Sequence, residues 1–168
     1  MTVAAFILRG GILPGGGDGV VSSAGMDLLG NRLTDLGCVV SRYNWGAWLT
    51  AAQDLWRAQA AGSKIVLIGY SGGGSRATWL ADLPNKPQID LMVLYDPSPA
   101  WQMKPIGPNV KRAICYHNTT PLMFGLGGGV LTGTTKIETV DIAEQHLAVQ
   151  FDGKLHDLTI SAVRSLLG

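Results

Sequence analysis

Charge is scarce in this chain. Lys, Arg, Asp and Glu together make up 15% of its 168 residues, and the formal net charge is +1. With no cluster of basic residues there is no electrostatic footprint for nucleic acid, and none is expected as a partner. Cysteine occurs twice, at Cys38 and Cys115. Both fall in apolar, strand-like stretches and read as small buried side chains on opposite sides of a sheet, which argues against a disulfide. No Cys/His pair has metal-ligand spacing, so neither a metal nor a cofactor is expected. No apolar run approaches the ~20 residues of a membrane span. The short apolar stretch 3–8 has no basic region ahead of it, so no signal peptide is expected, and the chain reads as cytoplasmic. There is no internal repeat and no Gly-x-x-x-x-Gly-Lys-Ser/Thr phosphate loop.

Apolar residues, at 46%, and glycine, at 23 positions, are what the chain has in quantity. The length suits one domain, residues 1–168, with a sizeable core. Apolar runs alternate with helical patterns. Residues 3–8 read as a buried strand ending at Arg9-Gly10-Gly11, and a Gly-rich loop follows over 14–19. Met26, Leu29, Leu33 and Leu36 fall at helical spacing, with Gly37 as C-cap. Residues 38–41 form a short second strand. Asn44 is expected to cap a helix whose Trp45, Trp48, Leu49, Ala52, Leu55 and Trp56 make one core-facing side. Further strands are expected over 65–68, 89–95, 111–116 and 136–142. Residues 121–133 form an apolar, Gly-rich loop. Asp152 is placed to cap a terminal helix with Leu155, Leu158, Ala162, Val163 and Leu166 facing inward. This alternation predicts an α/β fold: three α/β/α layers around a doubly wound, mostly parallel sheet of five to six strands, with reactive groups at the carboxyl ends of the strands.

One motif stands out in that frame. Gly69-Tyr70-Ser71-Gly72-Gly73 follows the strand 65–68 directly and leads into a helix-compatible stretch over 74–80, the setting of a nucleophile elbow. The serine sits at the tip of a sharp turn, and Gly69 and Gly73 leave room for strand and helix to pass. An overlapping reading, Gly72-Gly73-Gly74-Ser75-Arg76-Ala77 as a dinucleotide fingerprint, is disfavoured. It follows about the third strand rather than the first, and only Asp96 could serve as the ribose acid.

A serine hydroxyl needs a base. His146 lies past the last strand and completes the order Ser…Asp…His. His117, at a strand end, competes with it. His156, one turn into the terminal helix, reads as solvated or structural. Asp96, ending the strand after the nucleophile strand, is the candidate acid, although Asp-Pro also opens ordinary turns. Asp141 is the alternate. Oxyanion donors are expected from the backbone N–H of Gly72 and from the Gly10-Gly11 loop.

These residues resemble a minimal α/β-hydrolase, and most of all the small cutinase-like and lipase-like serine esterases. Arg9-Gly10-Gly11 is similar to the Arg-Gly-Ser turn of cutinases, a likeness that casts Gly11 as an oxyanion-hole residue. Gly69-Tyr70-Ser71 matches their elbow, and His146-Leu147 their catalytic histidine. Asp96-Pro97-Ser98-Pro99 is instead similar to the Asp-Pro turn of pancreatic-type lipases. The cutinase disulfides are missing, and a secreted cutin-degrading role does not carry over. Small hydrolases of this kind are similar to ones encoded by bacteria and their phages. The expected activity is cleavage of small-molecule or lipid-like carboxylic esters by a Ser71–His146–Asp96 triad, with the loop around 124–131 as acyl-pocket wall or lid, or as an ordinary surface loop. The alternative is a catalytically inactive hydrolase-fold protein that binds a ligand or an assembly partner.

Overall fold

A computed structural model describes residues 1–11, 23–120 and 127–168. Six strands form one sheet: β1 Val3–Arg9, β2 Val39–Asn44, β3 Lys64–Tyr70, β4 Leu91–Tyr95, β5 Ala113–Asn118 and β6 Ile137–Ile142. Their order is β2-β1-β3-β4-β5-β6, and every neighbouring pair is parallel. Among the described residues, four α-helices cover it: α1 Ala24–Asp35, α2 Trp48–Ala60, α3 Gly72–Ala81 and α4 Gly153–Leu167. The α/β, three-layer reading of the sequence is what the chain adopts.

The period-two alternation of strand side chains builds two cores. Val3, Ala5 and Ile7 of β1 pack with Val66 and Ile68 of β3 beneath α1 and α4, through Met26, Leu29, Leu33, Leu155 and Val163. Ala4, Phe6 and Leu8 pack with Ile65 and Leu67 on the other face, beneath α2 and α3, through Ala51, Leu55, Ala77 and Leu80. Burial on both faces explains why the central strands read as continuous apolar runs. Cys38 lies in the first core and Cys115 in the second, and both are free thiols.

The chain leaves β1 toward β2 on one side and returns to β3 on the other. The strand order therefore reverses between β1 and β3, and open α/β sheets bind their ligands past the carboxyl edge at such a reversal. That edge carries Gly10-Gly11 and Ser71.

Two helix expectations are corrected. Asn44 does not cap α2. A single helical turn, Trp45–Ala47, intervenes, and the helix starts at Trp48 with Ala47 as N-cap. The inward stripe is then Ala51, Ala52 and Leu55, while Leu49 is 60% exposed. Trp45 and Trp48 are half-buried, and with Trp79 they surround the Arg76 guanidinium at 5.0–5.8 Å from the ring centres. Trp48 packs against the edge of the second core, and the cation faces the indoles at that rim. In α4, Asp152 does cap, accepting from the N–H of Lys154 and Leu155. Leu158, however, is exposed. Its inward place goes to Thr159, whose hydroxyl lies 2.6 Å from that of Tyr95 and 3.2 Å from that of Tyr116.

Candidate active site

At the end of β3 the backbone turns through Ser71 with φ 53° and ψ −124°, a conformation that costs a non-glycine residue of order 1–3 kcal/mol. Bare neighbours make the turn possible. A Cβ on Gly69 would lie 2.6 Å from the Gly74 Cα, and one on Gly73 would drive into the carbonyls of Leu8 and Arg9. Backbone bonds then fix the bend. Ser71 N–H donates to the Tyr95 carbonyl at 3.1 Å, and the Ser71 carbonyl accepts from the N–H of Ser75 and of Ser98. The Gly72 amide opens α3 directly after the serine.

Asp96 follows β4 with φ 42° and no solvent exposure. Its N–H donates to the Tyr116 carbonyl at 2.8 Å, carrying the β4–β5 pairing one step past the strand. The carboxylate is divided between two tasks. Oδ1 accepts from the Gly128 N–H at 2.6 Å and the Asn118 N–H at 3.3 Å, while Oδ2 lies 2.6 Å from His146 Nδ1.

His146 belongs to the loop between β6 and α4. Its Nε2 is 2.9 Å from Ser71 Oγ. Tyr70 holds the loop in place, for its ring stacks on the imidazole at 5.2 Å between centres and its hydroxyl donates to the His146 carbonyl at 3.0 Å. Ser71, Asp96 and His146 are 5%, 0% and 2% exposed. The three side chains thus form one hydrogen-bonded line from three strand ends, shielded from water.

The other candidates lie elsewhere. His117 Nδ1 is 3.3 Å from Asp141 Oδ1, with Asp141 well exposed on β6. The competing base and the alternate acid therefore pair with each other. His156 is buried, so it is structural and not solvated, and its Nε2–H donates to the Gln150 carbonyl at 2.7 Å. Burial pushes its imidazole pKa below the ordinary value. The unfolded chain accordingly binds more protons below about pH 6.5, so the contribution of His156 to stability is full above that pH and is lost as pH falls through the folded value. A melting-temperature series from pH 8 to 5 should decline more steeply for the native protein than for His156→Asn.

Gly11 follows β1, and a Cβ there would overlap the Trp45 indole. Gly10 donates its N–H to Ser23 Oγ at 2.9 Å, and Arg9 pairs with Asp27 Oδ1 at 2.6 Å. Residues 124–126 of the loop expected as pocket wall or lid lie outside the described residues. Leu131 is buried in the α2/α3 core. Sequence reasoning missed what Gly127 and Gly128 do. Gly127 has φ 83°, and a Cβ there would intrude between the Asp96 carboxylate and the imidazole. The run Gly127-Gly128-Gly129 was the available signal, and it marks a close backbone approach.

Among the described residues, no group of His, Cys, Asp or Glu is arranged to hold a metal ion, and no helix is long and apolar enough to cross a membrane.

No family model and no curated protein matches the sequence. Solved structures do match the fold. A metagenome-derived lipolytic enzyme aligns with TM-score 0.66 over 98% of this chain and 94% of its own, at 11% identity. A protein from Thermoplasma acidophilum assigned as a CIB-like hydrolase aligns with TM-score 0.59 over 97% and 86%, at 13% identity. One from Xanthomonas campestris assigned to the α/β hydrolase superfamily aligns with TM-score 0.51 over 98% of each chain, at 15% identity. The sheet order, the paired helical layers and these likenesses together give the chain the α/β-hydrolase fold in a minimal form.

Proposed function

We propose that the protein is a serine hydrolase that cleaves carboxylic esters through an acyl-enzyme. The observation that carries this reading is the unbroken line Ser71 Oγ–His146 Nε2 and His146 Nδ1–Asp96 Oδ2, at 2.9 and 2.6 Å, on an elbow that holds the serine in a strained bend. An Nδ1–H donated to Asp96 leaves the Nε2 lone pair facing the serine O–H. Ser71 Oγ attacks the ester carbonyl carbon while its proton passes to Nε2. Asp96 stabilises the imidazolium that forms. The Gly11 and Gly72 amides receive the oxyanion of the tetrahedral intermediate. Its collapse breaks the C–O bond to the leaving group, which takes the proton from Nε2 and departs as the alcohol. Water, deprotonated by the same nitrogen, then attacks the acyl-serine, and as the bond from the acyl carbon to Oγ breaks, that proton returns from Nε2 to Ser71 Oγ and the acid leaves. No cofactor enters any step. The lipolytic enzyme among the structural neighbours supports an ester as the bond cleaved.

A fluorophosphonate reports on this directly. Mass spectrometry of the intact protein should show one adduct, and peptide mapping should locate it on Ser71. Folded protein that stays unlabelled, or an adduct on another residue, overturns the proposal.

A further inference from the structure

Gly10 and Gly11 follow β1 beside the candidate nucleophile. Neither can be stiffened by a side chain, because a Cβ on Gly10 would lie 2.8 Å from the Tyr70 ring and 3.1 Å from Ser71 Cβ, and one on Gly11 would overlap Trp45. Two glycines in succession give the backbone wide φ/ψ freedom. The peptide between them nevertheless carries the Gly11 N–H, which must hold one direction if it is to meet a developing oxyanion.

Ser23 supplies the missing stiffness. It is 1% exposed and stands at the N-cap of α1. A serine there normally turns its hydroxyl onto the first free amides of its own helix, but this one makes no cap bond. The start of α1 is closed instead by the Ser23 backbone carbonyl, which accepts from Met26 N–H at 3.0 Å and Asp27 N–H at 3.2 Å. The side chain is turned out of the helix, with Oγ accepting the Gly10 N–H at 2.9 Å and lying 3.5 Å from the Gly10 carbonyl. That carbonyl belongs to the same planar unit as the Gly11 N–H, so one hydroxyl grips Gly10 on both sides. The same turn of α1 is itself anchored, by Asp27 to Arg9 at 2.6 Å and by the Gly25 N–H to Gln150 Oε1 at 3.2 Å.

We infer that Ser23 is a positioning residue, holding the Gly10–Gly11 peptide so that its N–H faces the oxyanion. The inference rests on the esterase reading above. It concerns only the transition state, since the ground-state carbonyl needs that amide less.

The test compares native protein with Ser23→Ala. Loss of an aligned oxyanion donor lowers kcat by about tenfold or more, with KM within about twofold. Affinity for an alkyl boronic acid, which mimics the tetrahedral intermediate, should fall by the same factor as kcat. A merely structural serine would lower the melting temperature and leave these two ratios alone. A folded Ser23→Ala protein with native kcat and native boronate affinity overturns the inference. Should that variant not fold, amide exchange in the native protein decides: a slow Gly10 N–H supports the inference, and one that exchanges as fast as an open loop overturns it. Failure of the esterase reading itself is visible separately, as native protein that is neither active on p-nitrophenyl esters nor labelled by fluorophosphonate.

Discussion

Ser71→Ala is expected to remove p-nitrophenyl ester turnover, by about 10⁴-fold or more, while leaving the protein folded. The two effects separate because the serine's backbone and side chain do different jobs. Its N–H and carbonyl hold the elbow, bonded to Tyr95, Ser75 and Ser98. The hydroxyl is bonded to His146 Nε2. Alanine keeps the first set and deletes the second. The strain at φ 53° is the same for both residues, so it cancels in the comparison. Circular dichroism and melting should be near native, and acyl-enzyme burst and steady-state rate should vanish together. Turnover that survives in the folded variant would remove the serine from the chemistry and with it the proposed mechanism.

Asp96→Asn should cost nearly as much, about 10⁴-fold in kcat, for a reason legible in the bonds around the carboxylate. Oδ1 accepts two backbone amides, Gly128 and Asn118. An asparagine must therefore keep its oxygen there, since its NH₂ in that place would face two donors. The NH₂ then lies against His146 Nδ1 and donates to it. That bond demands the opposite tautomer, with the proton on Nε2, where it points at the serine oxygen instead of accepting from it. The shape of the side chain is unchanged, so stability should move little. The rate of fluorophosphonate labelling should drop in step with kcat. A variant within tenfold of native activity would show that Asp96 does not set the tautomer.

The fold was legible because both signals behind it are local. Buried strands appear as β-branched runs, and helices as a 3.6-residue rhythm. Ser71, Asp96 and His146 could be singled out because each lies just past a strand, where a parallel sheet gathers its loops. What escaped was set by contacts distant in the chain. Asn44 is a good cap in isolation, yet Trp45 is drawn over Gly11 and Arg76, and the helix begins three residues later. Leu158 fits the apolar rhythm of α4, but the facing strands present Tyr95 and Tyr116 hydroxyls, and those select Thr159. Ser23 lay beside a glycine-rich stretch with nothing local to mark it. Its partner is an amide just past the end of β1, and its value depends on a hydroxyl turned away from its own helix.

Tyr70 stands next to the serine and also holds the loop that carries the histidine. On the proposed mechanism the serine has its base only while that clasp, between residues 76 apart in the chain, stays closed. Local opening of the segment between β6 and α4 should therefore abolish turnover while the sheet stays folded.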